Sequence, residues 1–172
     1  MATYKLIQTV TASTDVVSIV FSSIPQTFTD LLLVTNTRLD FAAQTSSLAI
    51  VLNTAASDTS YIQVRGNGSA ASSSSNSGQT DFYVGEVNAN SSTASVFSNG
   101  QVYIAGYTAN QQKSMLSDNV SENNGTTAFQ SLDAGLCTKT AAVTSITIRG
   151  FGGSSGNIRQ YSSVSLYGIS ST

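Results

Sequence analysis

Apolar residues recur with a period of two along nearly the whole chain, and each short run is closed by Gly, Asn, Ser or Asp. That is the pattern of β-strands separated by turns, and no segment shows the 3.6-residue period of an amphipathic helix. The first two runs, residues 4–10 and 15–21, flank Thr11-Ala-Ser-Thr14 and are expected to pair as an antiparallel hairpin, with Val17, Ile19 and Phe21 on one face. Residues 30–39 open with apolar groups at successive positions, Leu31 and Leu33 opposed to Leu32 and Val34, which predicts a strand covered on both sides at its start.

Further strands are expected at residues 47–53, 60–65, 81–87, 112–121, 126–138, 143–151 and 162–169. Asn99-Gly100, a dipeptide favoured in tight type I′ turns, predicts a hairpin with arms at 96–97 and 102–104, and Asn124-Gly125 predicts another. The total is about ten strands without helices between them, which points to one all-β antiparallel sandwich of 172 residues. Residues 66–78 have no apolar side chain larger than alanine and are expected to form a long Ser/Gly-rich loop, a candidate arm that orders against a partner.

Pro25 is the sole proline and stands between two strand signals. It cannot donate to a ladder and restricts its own φ, so a strand ending at Phe21 must leave its sheet there. Ile24 and Phe28 are expected to plug the resulting corner, and Asp30 to accept backbone hydrogen bonds that hold the turn.

Composition narrows the chemistry. Only 9% of residues are charged, against about 25% in average globular proteins, and Ser, Thr, Asn and Gln replace the missing charge. Such a surface repels itself little and suits permanent packing against protein. A net charge of -2 with seven Lys and Arg spread along the chain argues against a nucleic-acid partner. The amino terminus lacks the basic and apolar regions of a signal peptide, and no window approaches the roughly 18 apolar residues of a membrane span.

Histidine is absent and Cys137 is the single cysteine. Triads, thiolate nucleophiles and zinc sites built on those residues are therefore excluded, no metal or cofactor is expected, and Cys137 reads as a small buried hydrophobe. Acid and base work by two carboxylates survives composition and fails on spacing. Asp81 and Glu86 face opposite sides of a strand, and Asp118 and Glu122 would lie about 13 Å apart, beyond the roughly 5 to 9.5 Å of a glycosidase pair. The chain is not expected to be an enzyme. Gly150-Phe-Gly-Gly-Ser-Ser-Gly156 follows a strand, opens no helix and lacks the phosphate-binding lysine, so it reads as a turn.

Phe21-x-x-Ile-Pro-Gln-Thr-Phe-Thr-Asp-Leu-x-Leu-Val34, the polar stretch ending at Arg38, Asn53 closing the next strand, Tyr61, and the closing Ser163-Val-Ser-Leu-Tyr-Gly-Ile169 together carry a resemblance. They are similar to the ends of tailed-bacteriophage virion proteins with jelly-roll domains. These serve as capsid decoration or cement proteins, or as parts of tail appendages. The resemblance implies a jelly roll made in the host bacterial cytoplasm and used on the capsid surface, binding the major capsid protein as a homotrimer. Ala2, Thr3 and Tyr4, with Gly66, Asn67, Gly68, Ser72, Ser73, Ser74 and Ser75, are the candidate partner contacts. A carbohydrate-binding appendage domain is the alternative. Seven tyrosines keep it open, while the absence of tryptophan weakens it.

Overall fold

Twelve strands form among the described residues: β1 (Thr3–Thr11), β2 (Ser18–Phe21), β3 (Asp30–Thr37), β4 (Thr45–Leu52), β5 (Thr59–Gly66), β6 (Ala71–Gln79), β7 (Phe82–Asn88), β8 (Ser98–Ile104), β9 (Lys113–Val120), β10 (Gln130–Cys137), β11 (Ile146–Gly150) and β12 (Ser163–Ser170). The computed structural model describes residues 2–54, 58–125 and 127–170; Met1 and Thr126, which the expected amino-terminal segment and the expected strand 126–138 include, lie outside them. The chain is an all-β sandwich of two antiparallel sheets. One sheet has eight strands in the order β1-β12-β3-β8-β9-β10-β5-β6, and the other has four in the order β2-β11-β4-β7. Successive strands β1, β2, β3 and β4 alternate between the sheets, while the hairpins β5–β6 and β9–β10 both extend the larger one.

The core lies between the sheets and follows the period-two pattern. Ile19, Phe21, Leu48, Ile50, Ile146 and Ile148 from the small sheet meet Leu31, Leu33, Val102, Ile104, Val164 and Leu166 from the large one, all buried. Removing each such side chain from water contributes about 2 kcal/mol. Cys137 is a free thiol buried within the same cluster, as expected of a small hydrophobe.

The corner at Pro25 forms as anticipated and carries the chain from β2 in the small sheet to β3 in the large one. Ile24 is buried and its N–H donates to the Thr144 carbonyl at 3.0 Å, while the Tyr107 hydroxyl donates to the Pro25 carbonyl. The Phe28 ring fills the space that a Cβ on Gly168 would occupy. Asp30 accepts a backbone hydrogen bond, 2.7 Å from the Gly106 nitrogen, so it holds the turn after β8 instead of its own.

Five expectations are corrected. β1 and β2 do not pair with each other: β1 pairs with β12 and β2 with β11. Alternation marks which residues face the core and is silent about the neighbouring strand, and here the connector crosses between sheets through buried Ala12. Ile19 and Phe21 point inward, whereas Val17 lies ahead of β2 and is exposed.

Residues 66–78 are no long loop. β6 occupies Ala71–Gln79 and pairs with β5, leaving a turn at residues 67–70. Asn67 Oδ1 accepts hydrogen bonds from the Ser69 and Ala70 nitrogens, and Gly68 takes φ +85° where side chains are disfavoured. Backbone pairing holds this strand, and since nearly all its side chains are exposed it shows no hydrophobic period.

Asn99-Gly100 is likewise no turn, because both residues lie inside β8. Gly100 is opposite Asn119 on β9, and a Cβ there would overlap the Asn119 carboxamide. Glycine serves here to admit a buried polar side chain. Asn124-Gly125 does join β9 to β10, with Asn124 at φ +54°. Finally, Leu31 and Leu33 are buried, yet Leu32 is only half-buried and Val34 is exposed. No part of the described chain covers the outer side of β3.

Candidate interaction surface

The outer side of β3 belongs to a larger apolar face. Register carries one row of side chains across all eight strands of the large sheet: Leu6, Tyr167, Leu32, Tyr103, Leu116, Ala134 and Ile62, ending at Ser75 on β6. The neighbouring row contains Val34, Gln101, Asp118, Leu132 and Val64, ending at Ser73. Paired residues on adjacent strands share a face, so both rows point away from the core.

Ten large apolar residues on this face, including Tyr4, Val120 and Leu136 beside the rows, are each more than a third exposed. Together they present on the order of 800 Å² of largely apolar surface, above the roughly 300–600 Å² of the largest patch on an ordinary monomer and close to one partner's share of a standard interface. Asp118 is the one carboxylate in the two rows, and no Lys or Arg belongs to either. A hollow of about 220 Å³ between Tyr4, Leu32, Tyr103, Leu116 and Asp118 breaks its flatness.

The sequence-based contact residues fall on the two edges of this sheet. Ala2 precedes β1, and Thr3 and Tyr4 begin it; Gly66 ends β5, Asn67 and Gly68 form the turn, and Ser72, Ser73, Ser74 and Ser75 lie on β6. Five strands lie between β1 and the β5–β6 hairpin, so the two groups do not meet in one protomer. Tyr4, Ser73 and Ser75 bracket the apolar face from opposite ends. The residues between them were missed because outward alternation on a half-exposed strand looks the same as inward alternation. The one legible clue was Leu31-Leu-Leu-Val34, apolar on both sides.

β6 is itself an edge of nine residues with no charge and no proline, and its one irregularity against further pairing is the register shift near Gly78.

A second concave site lies at one end of the sandwich. A cleft of about 330 Å³ runs between the segment after β7, the connector before β2 and the turn at residues 159–162. Asp15, Asn90, Arg159, Gln160 and Tyr161 line it. The buried Arg38 guanidinium braces one wall, donating to the carbonyls of Ser92, Thr93 and Val96 at 3.1, 2.7 and 2.9 Å.

The carboxylates considered for catalysis have other partners. Asp81 pairs with Arg149 at 2.6 Å and accepts the Gly152 N–H at 2.7 Å, which fixes the short 3-10 turn Phe151–Gly153. Glu86 Oε1 accepts the Tyr83 hydroxyl at 3.0 Å and pairs with Arg65 at 3.3 Å. Asp118 lies on the outer face, while Glu122 caps the Asn124 N–H at 2.7 Å. Asp133 is buried beside Gln63, Ser117 and Ser131, and burial pushes its carboxyl up to about 6. Among the described residues no group of three or more His, Cys, Asp or Glu is placed to hold a metal ion, and no helix is long and apolar enough to cross a membrane. No known family model matches the chain, and no curated protein matches it in sequence.

Proposed function

We propose that the chain is a structural, non-enzymatic virion protein of jelly-roll type that decorates a bacteriophage head and stabilises it as a homotrimer. The observation that carries this reading is the uncovered apolar face of the large sheet. A strand apolar on both sides, such as β3 at Leu31-Leu-Leu-Val34, is characteristic of burial on both sides, and the chain supplies cover on one side alone. The missing cover is a second copy of this chain, since the exposed area equals what one partner brings to a stable interface. With Asp118 as the sole charge in the two rows, identical faces bring little like charge together.

Strand order supports the jelly roll. β1-β12-β3-β8 opposite β2-β11-β4-β7 is the eight-strand, two-sheet arrangement in which successive strands swap sheets, with two added hairpins widening one side. The resemblance of the Pro25 corner and the Leu166-Tyr-Gly-Ile169 terminus to phage virion proteins supports the location. Binding the shell would then be multivalent: several weak contacts on one trimer act together and become effectively permanent. The Ala2 to Tyr4 segment and the β5–β6 hairpin are the proposed contacts with the major capsid protein.

The test mixes purified protein with undecorated phage shells and, separately, with bacterial surface glycans, and measures its mass by light scattering. Shell binding by a trimer is the expected result. A stable monomer at micromolar concentration that ignores shells would sink the reading. A carbohydrate-binding appendage domain is the second reading, favoured by the exposed Tyr161 beside the polar end cleft.

A further inference from the structure

The turn at residues 159–162 is closed by a hydrogen bond from the Ser162 nitrogen to the Arg159 carbonyl at 3.1 Å, which puts Tyr161 at its third position. Tyr161 adopts φ +71° there. A turn needing positive φ at that position normally takes Gly or Asn, and for a bulky residue the conformation is a genuine outlier. The side chain gains nothing from burial, because Tyr161 is 70% exposed. Across the cleft Ser95 is also at positive φ, +61°, so two strained non-glycine residues line one cavity. Such strain persists where surrounding structure imposes it, and it clusters at ligand sites.

The surroundings do impose it. Asp15 Oδ1 accepts the Gln160 N–H at 2.8 Å, Gln160 Nε2 donates to the Ser13 carbonyl at 2.7 Å, and the Tyr161 nitrogen donates to the Ala12 carbonyl at 2.8 Å. The turn is thereby tied to the connector before β2. Polar groups facing the cleft are less fully engaged. Arg159 Nη1 lies 3.4 Å from Asn90 Oδ1 and 3.7 Å from Asp15 Oδ2, both at the long limit of useful contact.

We infer that this cleft is a saccharide-binding site in which Tyr161 is the stacking platform for a neutral pyranose ring, with Asp15, Asn90 and Arg159 gripping its hydroxyls. The inference rests on the second reading above and places it on named residues. A sugar presents an apolar face of C–H groups and a rim of hydroxyls that both donate and accept. An exposed tyrosine ring matches the first; an acceptor carboxylate, a carboxamide and a donor guanidinium match the second. Asp15 offsets Arg159, and the Arg38 guanidinium is spent on three backbone carbonyls, so the groups left to meet a ligand carry no net charge and suit a neutral sugar. A volume of about 330 Å³ is at the lower end for small-molecule sites and fits a terminal sugar better than a long chain.

The experiment screens the intact chain against the methyl glycosides of glucose, galactose and mannose and against N-acetylglucosamine, by saturation-transfer NMR. The strongest binder is then titrated against wild type, Tyr161→Gly and Asn90→Ala. Tyr161→Gly is the informative variant, because glycine suits the backbone and should leave the thermal midpoint equal or higher. The expected result is a weakening of about tenfold or more in Tyr161→Gly, with a smaller loss in Asn90→Ala. Wild-type affinity in both variants would overturn the site while leaving the carbohydrate reading intact. No binding of any sugar to wild type would overturn both.

Discussion

Asp133 is a carboxyl group 1% exposed between the sheets, with Oδ1 lacking a hydrogen-bond partner and Ser117 Oγ 3.3 Å from Oδ2. Gln63 on β5, Ser131 on β10 and the like-charged Glu86 on β7 face it, and no cation does so closely enough to compensate. Burial is the main cause of the rise to about 6, and Glu86 adds to it. The native state therefore holds this proton more tightly than the unfolded chain, whose Asp titrates near 4. The associated stability is full below about pH 4 and is lost as pH rises through about 6. Asp133→Asn should be more stable than wild type by about 2 kcal/mol at pH 7.5 and nearly equal at pH 4, read by urea unfolding at both pH values. A difference independent of pH would contradict this account.

Lys113 poses the opposite problem: it is a fully buried cation without a carboxylate. Its ammonium donates to the carbonyls of Ala109 at 2.8 Å, Thr140 at 3.1 Å and Gln111. Burial lowers its pKa, and the three carbonyls are what retain the group. Lys113→Met keeps the stem and leaves those oxygens unpaired, so chemical denaturation should show a loss of about 2–4 kcal/mol.

At the scale of elements, glycines decide how closely strands approach. Gly85 sits at a bulge where β7 opposes β4, at φ +138°. A Cβ there would come within 2.7 Å of Asn119 Cβ and Ser131 Oγ. Gly85→Ala is expected to cost about 2 kcal/mol or more, through backbone strain and overlap together, and to lower the thermal midpoint by several degrees. Gly100→Ala should act chiefly through Asn119, with the Asp118 carbonyl 3.2 Å away as a second close contact. β-strand positions were legible wherever one face is buried, as in β4, β9, β11 and β12. They were illegible in β6, where Ser72 to Ser75 contribute backbone pairing and long side-chain hydrogen bonds at Ser72 and Ser74 but no apolar period. The glycine of Asn99-Gly100 was misread because a turn glycine and a packing glycine look identical in sequence.

For the whole molecule, the proposed assembly makes the outer face a surface for association that contributes little to folding. Leu116→Asp combined with Leu132→Asp replaces two exposed side chains on adjacent rows. Surface substitutions of this kind usually change stability by no more than about 0.5 kcal/mol each. The double variant should therefore stay folded, lose only the concentration-dependent part of its unfolding midpoint that association supplies, and shift to monomer in light scattering. A double variant that remains trimeric would remove this face from the assembly.

Alternation along the chain determined that the protein is an all-β sandwich and which residues of a strand share a face, and the sole proline, Pro25, marked a corner between sheets. Each of those follows from local geometry: a period of two, and a ring that cannot donate. Histidine's absence likewise decided which catalytic chemistries have no residues to perform them. Tertiary structure alone decided the partners of each strand, since β1 and β2 carry the same alternation whether paired or crossed between sheets. It alone aligned Leu6, Tyr167, Leu32, Tyr103, Leu116 and Ile62 into one row, because register joins residues more than a hundred positions apart. It alone gave Tyr161 a positive φ beside Asp15, because that strain comes from hydrogen bonds to the distant residues Ala12, Ser13 and Asp15.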